Sequence, residues 1–190
     1  MKKSKKKYAV CPCCTTEKYR TEMQKCLSVL IKHERQEYKN FNELGIDSYY
    51  SFIDADFEWA CDNCLESKKA ILANPGLQET PWTPHLAYSD TKLICKTCQQ
   101  DFLFKKEEKK LWYEAYKLPT YAQPSNCPEC RKNIRKQKSE NKTLSEILKK
   151  PLNKVSNSEL EKIIEIYTSW DKLEKAKYYQ SILRKRNKTK

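Results

Sequence analysis

The sequence predicts an α+β fold. Small modules, each a short β-hairpin and a helix closed around paired cysteines, precede an α-helical C-terminal extension. Three observations carry that reading. Eight of the ten cysteines form four Cys-x-x-Cys pairs, all before residue 131. Short β-prone runs, Tyr8–Val10, Phe57–Ala60 and Thr91–Ile94, lead directly into three of the pairs. From Asn141 onward there is no cysteine, and apolar residues recur at helical spacing behind two Ser/Thr-x-x-Glu helix starts.

The stretch from Asp90 to Arg135 organises the rest. It holds Cys95 and Cys98 and, after 28 residues, Cys127 and Cys130. Two cysteines separated by two residues turn both sulfurs inward on one tight loop. Two such loops supply four thiolates, the ligand set of a closed tetrahedral zinc site. Thiolates are soft ligands and favour zinc over magnesium or calcium. The upstream pairs, Cys11 with Cys14 and Cys61 with Cys64, offer a second set. Neighbouring pairs are the simplest assignment; a cross-braced arrangement, in which alternate pairs share a metal, stays open. Two Zn2+ ions are expected. Four cysteines leave no coordination position for water or substrate, so both sites are expected to be structural. Cys13 competes by position with Cys11 or Cys14 as a ligand. Cys26 lies on a helical apolar face and is expected in the core.

The totals narrow the functional classes. A chain of 190 residues makes one ordinary domain or two small ones. Its apolar share, 38%, falls below the ~45–50% of typical globular domains. The expected core is therefore thin, and metal sites supplement it. Gly45 and Gly76 are the sole glycines, so neither a P-loop nor a dinucleotide fingerprint exists and no small-molecule substrate is evident. No apolar run is long enough to cross a bilayer, and no apolar segment follows the lysine-rich start. A cytoplasmic protein with no membrane partner is expected. In a reducing compartment its cysteines are ligands rather than disulfides.

The formal net charge is +13; two zinc tetrathiolates, each carrying −2, would bring it to +9. Lysines crowd residues 2–7, and Arg184, Lys185, Arg186, Lys188 and Lys190 crowd the end. Arg131, Lys132, Arg135, Lys136 and Lys138 follow the last cysteine pair. Residues 40–67, by contrast, carry seven acids and no Lys or Arg. Such asymmetry suits a polyanionic partner, of which nucleic acid is the commonest. The competing reading is that solvated lysine tails keep a thin-cored protein soluble.

In chain order, residues 1–7 read as a disordered basic tail, and 8–76 as an N-terminal four-cysteine module with a helical insertion. Within it Glu17 to Phe41 has one apolar stripe (Met23, Cys26, Leu27, Leu30, Ile31, Tyr38 and Phe41) and is predicted helical, ending at Asn42–Asp47. The aromatic, acidic stretch 46–60 sets Tyr49, Tyr50, Phe52, Phe57 and Trp59 among Asp47, Asp54, Asp56 and Glu58. Its acids are expected on a solvated face, or offsetting the basic segments, rather than holding a hard cation. Leu65–Ala73 is predicted as a short helix, and 77–89 as a linker anchored by Trp82, Leu86 and Tyr88. Residues 90–140 form the second module: strands Thr91–Ile94 and Asp101–Phe104 around the knuckle, a helix over Lys106–Lys117, and a basic helix over Arg131–Glu140. Residues 141–186 are the helical extension, with a short helix started by Thr143-x-x-Glu146 and a hairpin started by Ser158-x-x-Glu161. Residues 187–190 are a basic tail. His33 and His85 sit at no knuckle and are expected to be packed or exposed rather than ligands.

Residues 90–135 resemble a zinc-ribbon domain family of small, mostly uncharacterised bacterial proteins. The resemblance rests on Asp90, Lys92, Leu93, Cys95, Cys98, Phe102, Phe104, Glu108, the run Trp112-Tyr-Glu114, Cys127, Cys130 and Arg131. It implies zinc at the four cysteines and no particular reaction. Gln99 departs from the glycine many ribbons carry just after the second cysteine. Residues 8–66 look like a divergent second module on the same plan, with 46 residues between its cysteine pairs. The fold class is thus α+β, with zinc-ribbon or treble-clef-like modules and a helical extension.

A non-catalytic, nucleic-acid-binding module is the expected function, with Arg131, Lys132, Arg135 and Lys136 as contacts. Lysine and arginine would neutralise phosphates, and exposed aromatics such as Tyr113 or Tyr121 would stack on unpaired bases. The alternative is a protein-interaction or scaffold module using stretch 46–60 and the helical hairpin. No Ser/His/Asp order points to an enzyme, and closed zinc sites argue against zinc hydrolysis.

Overall fold

The computed structural model describes residues 8–37, 48–53, 55–79 and 84–188. The basic tail 1–7, the helix end at 42–47, Tyr38 and Phe41 of the apolar stripe, Asp54, and Trp82 of the linker lie outside these. The chain divides into two compact units, residues 1–127 and 128–190.

The first unit begins with a miniature antiparallel hairpin, β1 (Ala9–Val10) and β2 (Glu17–Lys18), which carries the first knuckle. Tyr49 staples it: the hydroxyl donates to the Lys18 carbonyl at 3.0 Å and accepts from the Ala9 amide. Helix α1 (Gln24–Glu37) starts later than its sequence stripe suggests, because Glu17 and Lys18 pair as strand. Its first amides are capped from a distance. The Asp62 carboxylate accepts from the amides of Gln24 and Lys25 at 2.9 and 3.0 Å, satisfying donors that no residue within the helix can reach.

Helix α2 is Asp62–Glu66, not the predicted Leu65–Ala73. Residues Ala70–Leu72 instead form strand β3, paired antiparallel with β4 (Ala87–Ser89). Leu65–Ala73 has apolar residues at both spacings, and a partner strand 15 residues on decided the matter. Phe57–Ala60 enters Cys61 without a ladder of its own; the Glu58 carbonyl alone receives the Leu86 and Ala87 amides. The core here gathers Met23, Cys26, Leu27 and Leu30 with Phe52, Phe57, Trp59 and Leu86. Phe52 meets Phe57 and Trp59 edge-on at 5.5 and 5.1 Å. Burying one such ring stabilises the module by about 1.5–3 kcal/mol.

Strands β5 (Thr91–Ile94) and β6 (Asp101–Phe104) form the predicted hairpin, with Leu93 opposite Phe102 and Thr91 opposite Phe104. Helix α3 (Lys106–Lys110) runs into a π-helical turn at Leu111–Ala115. That wider turn lets three successive residues, Trp112, Tyr113 and Glu114, all point inward. Tyr113 joins Tyr88 and Phe104 in a second small core. Glu114 accepts from the Asn74 amide at 2.8 Å.

The second unit is helical. Arg131–Glu140 and the Thr143 start are not separate helices; one continuous α4 spans Pro128–Leu148. Thr143 sits mid-helix and its hydroxyl donates back to the Ser139 carbonyl at 3.1 Å, a local use of the side chain that needs no helix end. Helix α5 (Asn157–Ser169) begins two residues before the predicted start, on a capping box of Ser156 and Glu159. Helix α6 (Leu173–Lys188) completes a hairpin with it. Leu144 and Ile147 of α4 join Leu160, Ile163, Ile166 and Tyr167 of α5 and Ala176 of α6 in one core. Arg186 donates to the Leu152 and Val155 carbonyls, tying the last turn of α6 to the loop before α5.

Candidate metal centres

Two groups of four cysteine sulfurs converge: Cys11, Cys14, Cys61 and Cys64, and Cys95, Cys98, Cys127 and Cys130. Neighbouring pairs share a centre; the cross-braced arrangement is not the one formed. All ten cysteines are free thiols.

Each centre is built the same way. The first two sulfurs hang from a knuckle between two short strands, and the last two from a helix N-terminus. In the first, the Cys11 amide donates to the Thr16 carbonyl and the Thr15 amide to the Cys11 carbonyl, at 3.0 and 2.8 Å. In the second, Cys95 pairs with Gln100, and Gln99 with Cys95, both at 2.9 Å. Thr15 and Gln99 close these turns with φ of 58° and 59°, a left-handed conformation that glycine usually supplies. Gln99 thus keeps the loop shape that its departure from glycine put in question.

Cys61 is the N-cap of α2, and Cys127 immediately precedes α4. Cys64 and Cys130 lie three residues on, in the first turns, where the helix dipole favours thiolate. The helix end also reaches back to the knuckle: the Cys61 amide donates to Cys11 Sγ at 3.3 Å and the Cys127 amide to Cys95 Sγ at 3.2 Å. Sulfurs from knuckle and helix stand 3.9 Å apart, Cys14 to Cys61 and Cys98 to Cys127. Tetrahedral zinc with bonds of about 2.3 Å requires about 3.8 Å between sulfurs, so both donor sets fit the ion. A disulfide at about 2.05 Å does not describe these pairs. Bound zinc would supply a structural cross-link between each knuckle and its helix.

Local groups polarise the thiols. Burial opposes ionisation of Cys14, but the Thr16 hydroxyl, 3.0 Å from its sulfur, and the Thr16 amide outweigh it and bring the thiol down to about 6. At Cys95 burial is likewise outweighed, by amides of Cys98, Cys127 and Thr97, again to about 6. Cys11 is pushed up to about 11, chiefly by burial, and Cys64 well up by burial and the neighbouring thiols. A cation is what allows all four sulfurs of a group to be thiolate together.

In the second centre a knuckle joins the strands of a hairpin and a helix N-terminus brings the other cysteine pair, the parts of a treble clef. Residues 89–139 match a family model described as a probable treble clef domain. The match covers roughly a quarter of the chain. No curated protein and no solved structure matches the chain significantly. The resemblance drawn from Asp90 to Arg135 therefore falls on a treble clef module, whose second ligand pair rides on a helix rather than on a second hairpin knuckle. The first centre repeats that geometry outside the matched residues.

Other residues singled out by sequence have these places. Cys26 is buried and its thiol donates to the Ala60 carbonyl at 3.2 Å. His85 packs against Tyr88 and Tyr113. Its Nδ1 accepts the Glu58 amide at 2.9 Å, so Nε2 carries the proton and donates to the Thr120 carbonyl at 3.0 Å. His33 is half-buried on α1. Tyr113 is buried, and its hydroxyl donates to the Ala122 carbonyl, so it offers no stacking face; Tyr121 is 82% exposed. Lys132, Arg135 and Lys136 are exposed on α4, and Arg131 is half-buried. Lys136 pairs with Glu140 at 3.7 Å.

Three residues that position the centres were missed. Asp62, next to Cys61, caps α1. Asn126, next to Cys127, accepts from the Thr97 hydroxyl at 2.9 Å and so ties the second knuckle to the segment that carries Cys127. Glu58 pairs with Lys109. A carboxylate or amide beside a ligand cysteine was the available signal for the first two. Nothing local marked Glu58, whose partner is 51 residues away.

Proposed function

We propose that this is a non-catalytic protein with two structural zinc centres that binds nucleic acid through its helical unit. The distribution of charge carries the reading. Residues 128–190 hold 18 Lys and Arg against 8 Asp and Glu, a net +10, whereas residues 8–127 sum to −2. Within the helical unit the charge is ordered on α4. Arg135, Lys138 and Lys142 fall on the side of the helix opposite Leu144 and Ile147, which are in the core, and the exposed Lys132 and Lys136 lie on the flank in line with Glu140. From Lys132 to Lys142 these charges extend over about 15 Å of helix, enough to face several phosphates.

The reading is tested by fluorescence anisotropy with single-stranded and duplex DNA and RNA of one sequence, over a salt series. Engagement of about four phosphates gives a log–log salt slope of about −3 to −4, hence a loss of about 10²-fold in affinity between roughly 50 and 200 mM salt. Substituting Lys132, Arg135 and Lys136 by alanine should flatten the slope by about 2–3. Absence of binding at the lowest salt, or an unchanged slope in the triple variant, rejects the reading. The scaffold alternative is less favoured: Phe52, Phe57 and Trp59 of stretch 46–60 are core residues, and the stripes of α5 and α6 pack on each other.

A further inference from the structure

The helical unit carries an open recess that phosphate contacts on α4 do not use. Its volume is about 510 Å³, and it is lined by Gln137 and Asn141 of α4 and by Ser169, Trp170, Asp171 and Lys172 at the turn from α5 to α6. Small-ligand sites span ~300–1,000 Å³. The turn closes because Asp171 takes left-handed backbone, φ 55°, and the Lys172 amide returns to the Tyr167 carbonyl at 2.8 Å. Trp170 is thereby laid against α4. Its Nε1 donates to the Glu140 carboxylate at 2.7 Å, and the half-buried ring packs at the edge of the helical core. The indole's one polar atom is satisfied, so the ring is a fixed apolar plate. Lys172 Nζ lies over it, 5.1 Å from the ring centre.

Gln137 and Asn141 are one turn apart and share a face of α4. Both are exposed, and neither side chain has a hydrogen-bond partner among the described residues. Lys138 and Lys142 each follow one of them, about 100° round the helix, and are exposed too. The recess thus combines an aromatic plate, two unspent amides and a carboxylate, with ammonium groups at its border.

We propose that this recess takes one unpaired nucleobase of a single-stranded nucleic acid, stacked on Trp170. The inference rests on the nucleic-acid reading above and deepens it. Any base presents a face that stacks on an aromatic ring. The amides offer donors and acceptors to a base edge, and Asp171 accepts from an exocyclic amine. The same carboxylate repels phosphate. The base therefore enters the recess, and the flanking phosphates lie on Lys138, Lys142 and Lys172, whose ammonium gives up the ring to the base. A duplex keeps its internal bases stacked on one another, so it makes only the phosphate contacts.

The zinc-loaded full chain would be titrated with the same single-stranded and duplex oligonucleotides over the same salt series. Single strands should bind about tenfold tighter than duplex at equal salt. Trp170→Leu, which keeps an apolar side chain against the core, should remove most of that preference. Gln137→Ala with Asn141→Ala, on an exposed helix face where folding is not at stake, should weaken single-strand binding about fivefold. Neither variant neutralises a phosphate, so neither should change the salt slope, unlike the triple lysine and arginine variant. Duplex bound as tightly as single strand, or a preference that survives in the paired amide variant, overturns the recess while the phosphate reading stands. No binding of either form at the lowest salt overturns both.

Discussion

Lys109 donates through Nζ to the Glu58 carboxylate at 2.5 Å, with only 2% of its side chain exposed. The two residues belong to different cysteine modules of the first unit: Glu58 leads into Cys61, and Lys109 is on α3. The ammonium also donates to Thr91 Oγ1 at 2.7 Å and lies 5.7 Å from the Phe104 ring centre. A buried charge is tolerated because its donors are used. Lys109→Met removes the cation and strands a carboxylate that is itself partly exposed. The expected loss, measured by urea unfolding of the zinc-loaded protein, is therefore about 2–3 kcal/mol, below the range for a fully buried pair. Lys109→Met with Glu58→Gln should recover at least part of it; a double variant as unstable as the sum of the singles would show that the two side chains do not act together.

Left-handed backbone occurs at Thr15, Lys68, Gln99, Lys117 and Asp171, none of them glycine. Such a conformation costs a residue with a side chain about 1–2 kcal/mol. Gln99→Gly and Thr15→Gly are therefore expected to stabilise the knuckles by about 0.5–1 kcal/mol each, after the added chain entropy of glycine is discounted. Thermal unfolding at constant zinc measures this. A fall in melting temperature for both would mean that the side chains, not the turn, set the knuckle.

Removal of single ligands should separate the centres. Cys98→Ser is expected to reduce native-mass-spectrometry stoichiometry from two zinc ions to one, and Cys14→Ser to do the same at the other centre. Full chelation should collapse the Trp59 core, which includes Cys11, Cys61 and Cys64. The core formed by Leu144, Leu160, Ile163 and Ala176 contains no cysteine, so circular dichroism should retain much of its helical signal. Retention of the near-ultraviolet signal after complete chelation would contradict a structural role for zinc.

Acid should loosen the start of α5 between about pH 4.5 and 2. The Glu159 carboxylate is held down to about 2 by Lys150, whose ammonium is 2.5 Å away, and by the Ser156 amide at 2.9 Å. Its folded value lies below the unfolded 4.5, so its contribution is complete above that pH and is lost as pH falls toward 2. Amide exchange at Ser156 and Glu159 should quicken over that window, and Glu159→Gln should flatten the dependence. An equally steep dependence in the variant would assign it to other carboxylates.

Much of the metal chemistry was legible in the sequence. Cysteine spacing alone picked out the eight ligands, because two sulfurs three positions apart on a tight loop have few other uses. The hairpin Thr91–Ile94 with Asp101–Phe104 was also legible, since alternation fixes which face of a strand is buried. The acidic aromatic stretch was not. Phe52, Phe57 and Trp59 became core, Asp62 just beyond the stretch became the cap of α1, and Glu58 the partner of Lys109, while composition could assign the acids only a solvated face. Leu65–Ala73 likewise turned from helix to strand once Ala87–Ser89 lay beside it.

What the sequence determined by itself were the properties that depend on residues close in the chain: knuckles, helical stripes, and the sign of the charge. Tertiary structure decided what depends on residues far apart. It chose neighbouring over alternating cysteine pairs, and hung the second sulfur pair of each centre on a helix N-terminus. The physical reason is range. Dihedral preference and periodicity act over a few residues, whereas a ligand pair, a cap or a buried ion pair is selected by a partner brought near only when the core closes.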